Sequence, residues 1–179
     1  GIPQSSKDLT KNFPFNDAAA LERLLDANRG QVACIILEAA ATAAPAPGFL
    51  ERVRELATQH GAVLVFDEII SGFRWNVRGA QHYYGVTPDL ATFGKAMANG
   101  FSLSALVGKR DIMERGGLDH DHPRVFLLST TNGTETHCLA ASLRTIQILR
   151  DTPVIDENWQ IGCQLREGFN ELAARHGIG

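Results

Sequence analysis

The chain has 179 residues, with 17 Lys+Arg against 20 Asp+Glu and a formal net charge of −3. That length suits one domain with a core of its own, and 44% hydrophobic with 21% charged residues excludes a disordered chain. The slight acidity argues against a general nucleic-acid binder, which needs a basic face, and no apolar run reaches the ~18 residues of a membrane span.

Along the chain, helix and strand signals alternate. Residues 17–29 place Ala18, Leu21, Leu24 and Leu25 on one face, with Asn16 or Asp17 as N-cap and Gly30 as C-cap. Residues 32–37 form an unbroken apolar run of strand length, and the Ala/Pro stretch from Ala39 to Gly48 reads as a loop. A helix carrying Phe49, Leu50, Val53 and Leu56 inward follows, closed by Gly61, and Ala62–Phe66 is a second apolar run. Leu90–Phe93 and Ser104–Val107 are shorter strand candidates, before helices at about 135–150 and 156–176. Continuous apolar strands between helices predict an α/β fold, a mostly parallel sheet with helices on both faces.

Cys34, Cys138 and Cys163 are odd in number and widely spaced, a pattern of buried thiols in a reducing, cytoplasmic compartment rather than of disulfides or a zinc site. His60, His82, His120, His122 and His176 show no metal-ligand spacing, so no metal site is expected. The first residue is Gly1, with no targeting signal, and the last five follow a helical pattern directly; the chain is expected to be a window on something longer.

In open α/β sheets ligands bind beyond the carboxyl ends of the strands. Glu38 follows the first strand, Asp67 and Glu68 the second, and Lys95 the third after Gly94, so all three ends are expected to face one crevice. Singly, each also reads as a solvated strand-end residue. Two features favour chemistry. Asp67 interrupts an apolar pattern, where a charge needs a partner. Lys95 lies in Phe93-Gly94-Lys95-Ala96-Met97, an apolar surrounding that lowers an amine pKa and makes it nucleophilic. A nucleophilic lysine beside a carboxylate serves either a pyridoxal-phosphate (PLP) imine, with the carboxylate holding the pyridine nitrogen protonated, or a cofactor-free imine-forming lyase. Spacing alone does not separate them.

The stretch Val65-Phe66-Asp67-Glu68-Ile69-Ile70-Ser71-Gly72-Phe73-Arg74 resembles the Asp-Glu-Val-x-x-Gly-Phe-Arg motif of class III, fold type I PLP aminotransferases. Gly79-Ala80-Gln81, Gly85-Val86-Thr87-Pro88-Asp89-Leu90 and Phe93-Gly94-Lys95 continue the match in order. Within the class the chain is most similar to the glutamate-1-semialdehyde 2,1-aminomutase branch. The resemblance implies that Lys95 is the Schiff-base lysine and Asp67 the carboxylate on the pyridinium nitrogen. It places Ile69 against one ring face, Glu38 near the ring substituents, and Thr130 on the phosphate of the neighbouring subunit's cofactor; read from the residues alone, Ile69 is core packing and Ser129, Thr130 or Thr134 caps the helix that follows. It thus implies PLP, small-molecule amino donors and acceptors, and a homodimer with shared sites. Glu68 reads as a supporting or salt-bridge residue with Arg74 as candidate partner, and His137 as a helix-surface residue.

Two loops depart from the family. Ala39-Ala40-Ala41-Thr42 follows Glu38, which leaves the role of Glu38 open, and Thr134-Glu135-Thr136-His137 follows Gly133, from which a subgroup distinct from the true aminomutase is expected. By the same resemblance, residues 1–179 are the middle of the large domain, without the N-terminal phosphate-loop segment and the C-terminal small domain. Such a piece is expected to expose sheet edges and apolar helix faces and to be inactive alone. The reading from a different class is a non-catalytic, truncated relative that binds cofactor weakly or binds a partner chain.

Overall fold

The structure is a computed structural model and describes residues 1–40, 42–125, 133 and 135–178. After a short α1 (Gln4–Lys7), α2 (Ala18–Ala27) starts at Asp17, whose Oδ1 accepts the Ala20 N–H at 2.8 Å. Of the two candidate N-caps, the structure uses Asp17. This bond satisfies one of the free donors of the first turn, and α2 buries Leu21 and Leu25. Strand β1 (Cys34–Leu37) leads to α3 (Phe49–Gln59), entered through Gly48 at φ +80°. Phe49, Leu50, Val53, Leu56 and Ala57 of α3 are buried, the one-sided stripe of a helix lying on a sheet. Strand β2 (Val63–Asp67), helix α4 (Ala80–Tyr83) and strand β3 (Leu90–Phe93) follow, then a 3-10 turn (Lys95–Met97) and strand β4 (Ala105–Gly108). A short α5 (Arg110–Met113) and a 3-10 turn (Glu114–Gly116) precede α6 (Thr136–Asp151) and α7 (Val154–Arg175).

The four strands lie in the order β1-β2-β3-β4. The first three are parallel, with Leu37 opposite Phe66 and Asp67 opposite Thr92, and β4 runs antiparallel to β3. The α/β class and the mostly parallel sheet therefore stand as read.

Alternation along the strands puts Ile35, Leu64, Phe66, Ala91 and Phe93 on one face, all buried. There Ile35, Leu64 and Phe66 join Leu21, Leu25, Val53 and Leu56 of α2 and α3 in the main core. A smaller cluster holds Ala91, Phe93 and Met97, with Phe73 and Ile146 packed against it. The other face carries Cys34, Ile36, Val63, Val65, Asp67, Leu90 and Thr92. It is barer: Cys34 is exposed and Ile36 is 59% exposed among the described residues. An apolar strand run signals that a strand suits cover on both faces; it does not say which residues supply that cover. The cysteines differ likewise from the reading of buried thiols. All three are free, but Cys34 is exposed, Cys163 is half-buried and only Cys138 is buried.

Helix α7 buries none of its residues, and Ile161, Leu165, Phe169 and Leu172 are exposed along it. It is tied down near its start, where Trp159 donates its indole N–H to the Arg74 carbonyl at 2.8 Å and packs its ring 4.8 Å from that of Trp75. Among the described residues, no helix is long and apolar enough to cross a membrane.

Candidate active site

Parallel neighbours in a sheet lie roughly 4.8 Å apart, so the carboxyl ends of β1, β2 and β3 stand side by side. Glu38 follows β1 directly, Asp67 is the last residue of β2, and Lys95 follows β3 after one glycine. Topology thus brings the three sequence-predicted polar residues to one sheet end.

Asp67 is half-buried. Its Oδ1 accepts two hydrogen bonds, from the Ile69 backbone N–H at 3.0 Å and from the Thr92 hydroxyl at 3.1 Å. The first is a tight turn closed by the carboxylate on its own backbone two residues on. Among the described residues Oδ2 has no hydrogen-bond partner. One oxygen is held by two donors and the other is left without one among the described residues.

Ile69 connects the two ends. Its Cγ2 lies 3.6 Å from where a Cβ on Gly94 would stand, so it packs beside the residue preceding Lys95. Lys95 itself opens the 3-10 turn with φ +43°. That is left-handed backbone, which costs a non-glycine residue about 1 kcal/mol or more and recurs at functional sites. The apolar surrounding expected for Lys95 is not an enclosure. Phe93 and Met97 turn into the core while Lys95 is exposed, because neighbours in sequence need not be neighbours around the amine.

The single-crevice expectation is met only in part. A cavity of about 860 Å³ lies beside Lys95, lined also by Phe73, Asn99, Thr145, Leu149 and Trp159. Asp67, Ile69 and Glu38 do not line it. Amine and carboxylate share a sheet end without sharing this cavity. Thr130 lies outside the described residues.

Glu68, next to Asp67, is fully buried. Its carboxylate accepts from the Ser71 hydroxyl at 2.6 Å and from the Ala80 and Gln81 backbone N–H groups, both at 2.8 Å. Arg74 is not its partner. The first-turn N–H groups of α4 have no carbonyl available to them and take the carboxylate instead. The anion therefore folds residues 68–81 into a closed loop that carries Ile69. The sequence signal for this role was Gly79, directly before the two N–H donors; Thr92 carried none, because its place opposite Asp67 is set only by the folded sheet.

On α6, Glu135, His137 and Cys138 place one ligand-type atom each within 4.8 Å of one another. Burial and the Glu135 carboxylate push the Cys138 thiol up from its ordinary value, and its S–H donates to Glu135 at 3.6 Å. A neutral thiol is a poor metal ligand. His137 is exposed on the helix, beside the Phe101 ring.

The sequence profile of the aminotransferase class-III family matches residues 3–179. The chain belongs to this family. It is 43% identical over 162 residues to 3-aminobutyryl-CoA aminotransferase of Cloacimonas acidaminovorans, covering 87% of this chain and 38% of that one. It is 39% identical to glutamate-1-semialdehyde 2,1-aminomutase of Prosthecochloris aestuarii, covering 99% and 41%. An omega-transaminase from Sphaerobacter thermophilus superposes with a TM-score of 0.88 at 32% identity, over 99% of this chain and 41% of its own. FumI of Sphingopyxis sp. MTA144, solved in its PLP internal aldimine form, gives 0.88 at 27% identity, over 98% and 42%. This class-III chain thus spans about two fifths of the length of its relatives.

Proposed function

We propose that the protein carrying this class-III segment is a PLP-dependent aminotransferase or aminomutase, with Lys95 and Asp67 as its catalytic pair. The observation that carries the reading is the placement of Asp67 and Lys95 at the carboxyl ends of adjacent parallel strands, with one Asp67 oxygen held and the other open. That donor set fits PLP: an exposed primary amine for an aldehyde, and an oriented anion for a basic ring nitrogen.

When bound, PLP supplies an aldehyde for condensation with amines and a ring that accepts the electron pair left at a substrate's α-carbon. The chain's residues do the rest. Lys95 would be the amine that holds the aldehyde, and as a free amine it would move the proton at the substrate's α-carbon. The Asp67 carboxylate would hold the ring nitrogen, keeping its proton in place. Ile69 would pack against one ring face, and Glu38, which follows β1, would serve the ring substituents. By the family resemblance Thr130 would serve the phosphate of the partner subunit's cofactor, in a homodimer with shared sites. An amino donor and an amino acceptor, both small molecules, are the substrates. The three free cysteines suit a cytoplasmic enzyme. Residues 1–179 form the central part of a PLP-binding large domain, which a phosphate-loop segment and a small domain complete.

The test is transfer of an amino group from an amino acid to a keto acid by the complete protein. Lys95→Ala should abolish it, and Asp67→Ala should slow it by about 10²-fold or more. Full activity in Lys95→Ala would refute the reading.

A further inference from the structure

We propose that Thr92 is a positioning residue for Asp67, selecting which carboxylate oxygen is offered to a cationic ring nitrogen; the proposal rests on the reading of Asp67 and Lys95 as a PLP site. Thr92 sits opposite Asp67 in the β2–β3 register, on the same face of the sheet. It grips the Asp67-Glu68 pair twice. Its hydroxyl donates to Asp67 Oδ1 at 3.1 Å, and its carbonyl accepts the Glu68 N–H at 2.9 Å.

A threonine hydroxyl has a single proton, and here it goes to the carboxylate. The Ile69 N–H reaches the same oxygen at 3.0 Å. Two donors on Oδ1 fix the rotation of the carboxylate about its Cβ–Cγ bond and leave Oδ2 as the acceptor. A backbone N–H alone is one contact and permits the group to swivel about it. The hydroxyl is the second contact, delivered by a β-branched side chain that is stiff at χ1. Thr92 thus acts through Asp67.

The test uses the complete protein and PLP. Three quantities are read in the unmodified protein, in Thr92→Val, which keeps the shape and removes the donor, and in Thr92→Ser, which keeps the donor. They are the PLP dissociation constant of the apo-protein by equilibrium dialysis, the ring-nitrogen chemical shift of ¹⁵N-labelled PLP, and the borohydride-reduced adduct at Lys95. Thr92→Val should weaken PLP binding on the order of tenfold, as expected for losing a hydrogen bond to a charged group, and should move the nitrogen signal toward that of unprotonated ring. Thr92→Ser should restore both. If Thr92→Val costs the fold, as judged by circular dichroism, Thr92→Ala carries the same test without the added apolar branch. Adduct at Lys95 together with unchanged affinity and nitrogen shift in the donor-less variant overturns the role of Thr92 alone. No adduct in the unmodified protein overturns the PLP reading, and this proposal with it.

Discussion

The Glu68 carboxylate occupies the space that a side chain on Gly79 would need: Oε1 lies 2.6 Å from the Cβ position and the carboxyl carbon 2.8 Å from it. The same anion takes the Ala80 and Gln81 N–H groups, so it cannot withdraw without leaving buried donors unpaired. Gly79 also sits at φ +85°, left-handed backbone that favours glycine. Gly79→Ala should therefore destabilise the protein by about 2 kcal/mol or more, read as a lowered denaturation midpoint. A midpoint unchanged within error would mean that the carboxylate is not pinned.

Glu68 and Arg74 separate two accounts of the loop. Glu68→Ala strands three donors, from Ser71, Ala80 and Gln81, at roughly 3 kcal/mol or more. Glu68→Gln keeps one acceptor oxygen and should cost less. Arg74→Ala should stay within about 0.5 kcal/mol, because Arg74 is exposed and the bond from Trp159 goes to its backbone carbonyl. Equal losses in Glu68→Ala and Arg74→Ala would restore the ion pair suggested by sequence.

Asp89 ties the opposite end of the sheet. It is buried, and its carboxylate meets Lys109 at 2.7 Å, Arg54 at 2.8 Å and the Leu64 N–H at 2.7 Å. Burial alone would raise its pKa, but Lys109, the Leu64 N–H and Arg54 together outweigh it and pull the pKa from 3.8 down to about 2. A depressed carboxylate pKa contributes stability that is complete above pH ~4 and is lost as pH falls through ~4 toward ~2, roughly 2 kcal/mol in all. Acid titration of stability should show this loss in the unmodified protein. Asp89→Asn should be less stable at neutral pH, by about 3 kcal/mol, with a shallower slope across pH 4 to 2. Parallel slopes for the two proteins would contradict the assignment.

Strand positions were legible because apolar runs bounded by glycine and polar residues identify covered strands. Leu90–Phe93 matches its predicted span, and the others shift by one or two residues. The chemistry of the sheet end was legible from where charges follow strands: Glu38, Asp67 and Lys95 all lie there. What the chain order did not carry was contact across space. Besides the nearby Ser71 hydroxyl, the partners of Glu68 are main-chain N–H groups 12 and 13 residues on, and main-chain donors have no residue type to recognise. Lys95 is exposed and adopts a left-handed backbone, which a lysine does not advertise. Charge complementarity suggested Arg74 for Glu68, but the loop turns Arg74 outward, where its side chain is solvated.

The central claim is that Lys95 is the residue that carries PLP. The most direct test is to mix the purified complete protein with PLP, reduce with borohydride, and measure intact mass and the modified peptide. Reduction makes any imine permanent. One adduct per chain is expected, on Lys95, and none in Lys95→Ala. An adduct spread over Lys7, Lys11 and Lys109, or a single adduct on another lysine, would contradict it.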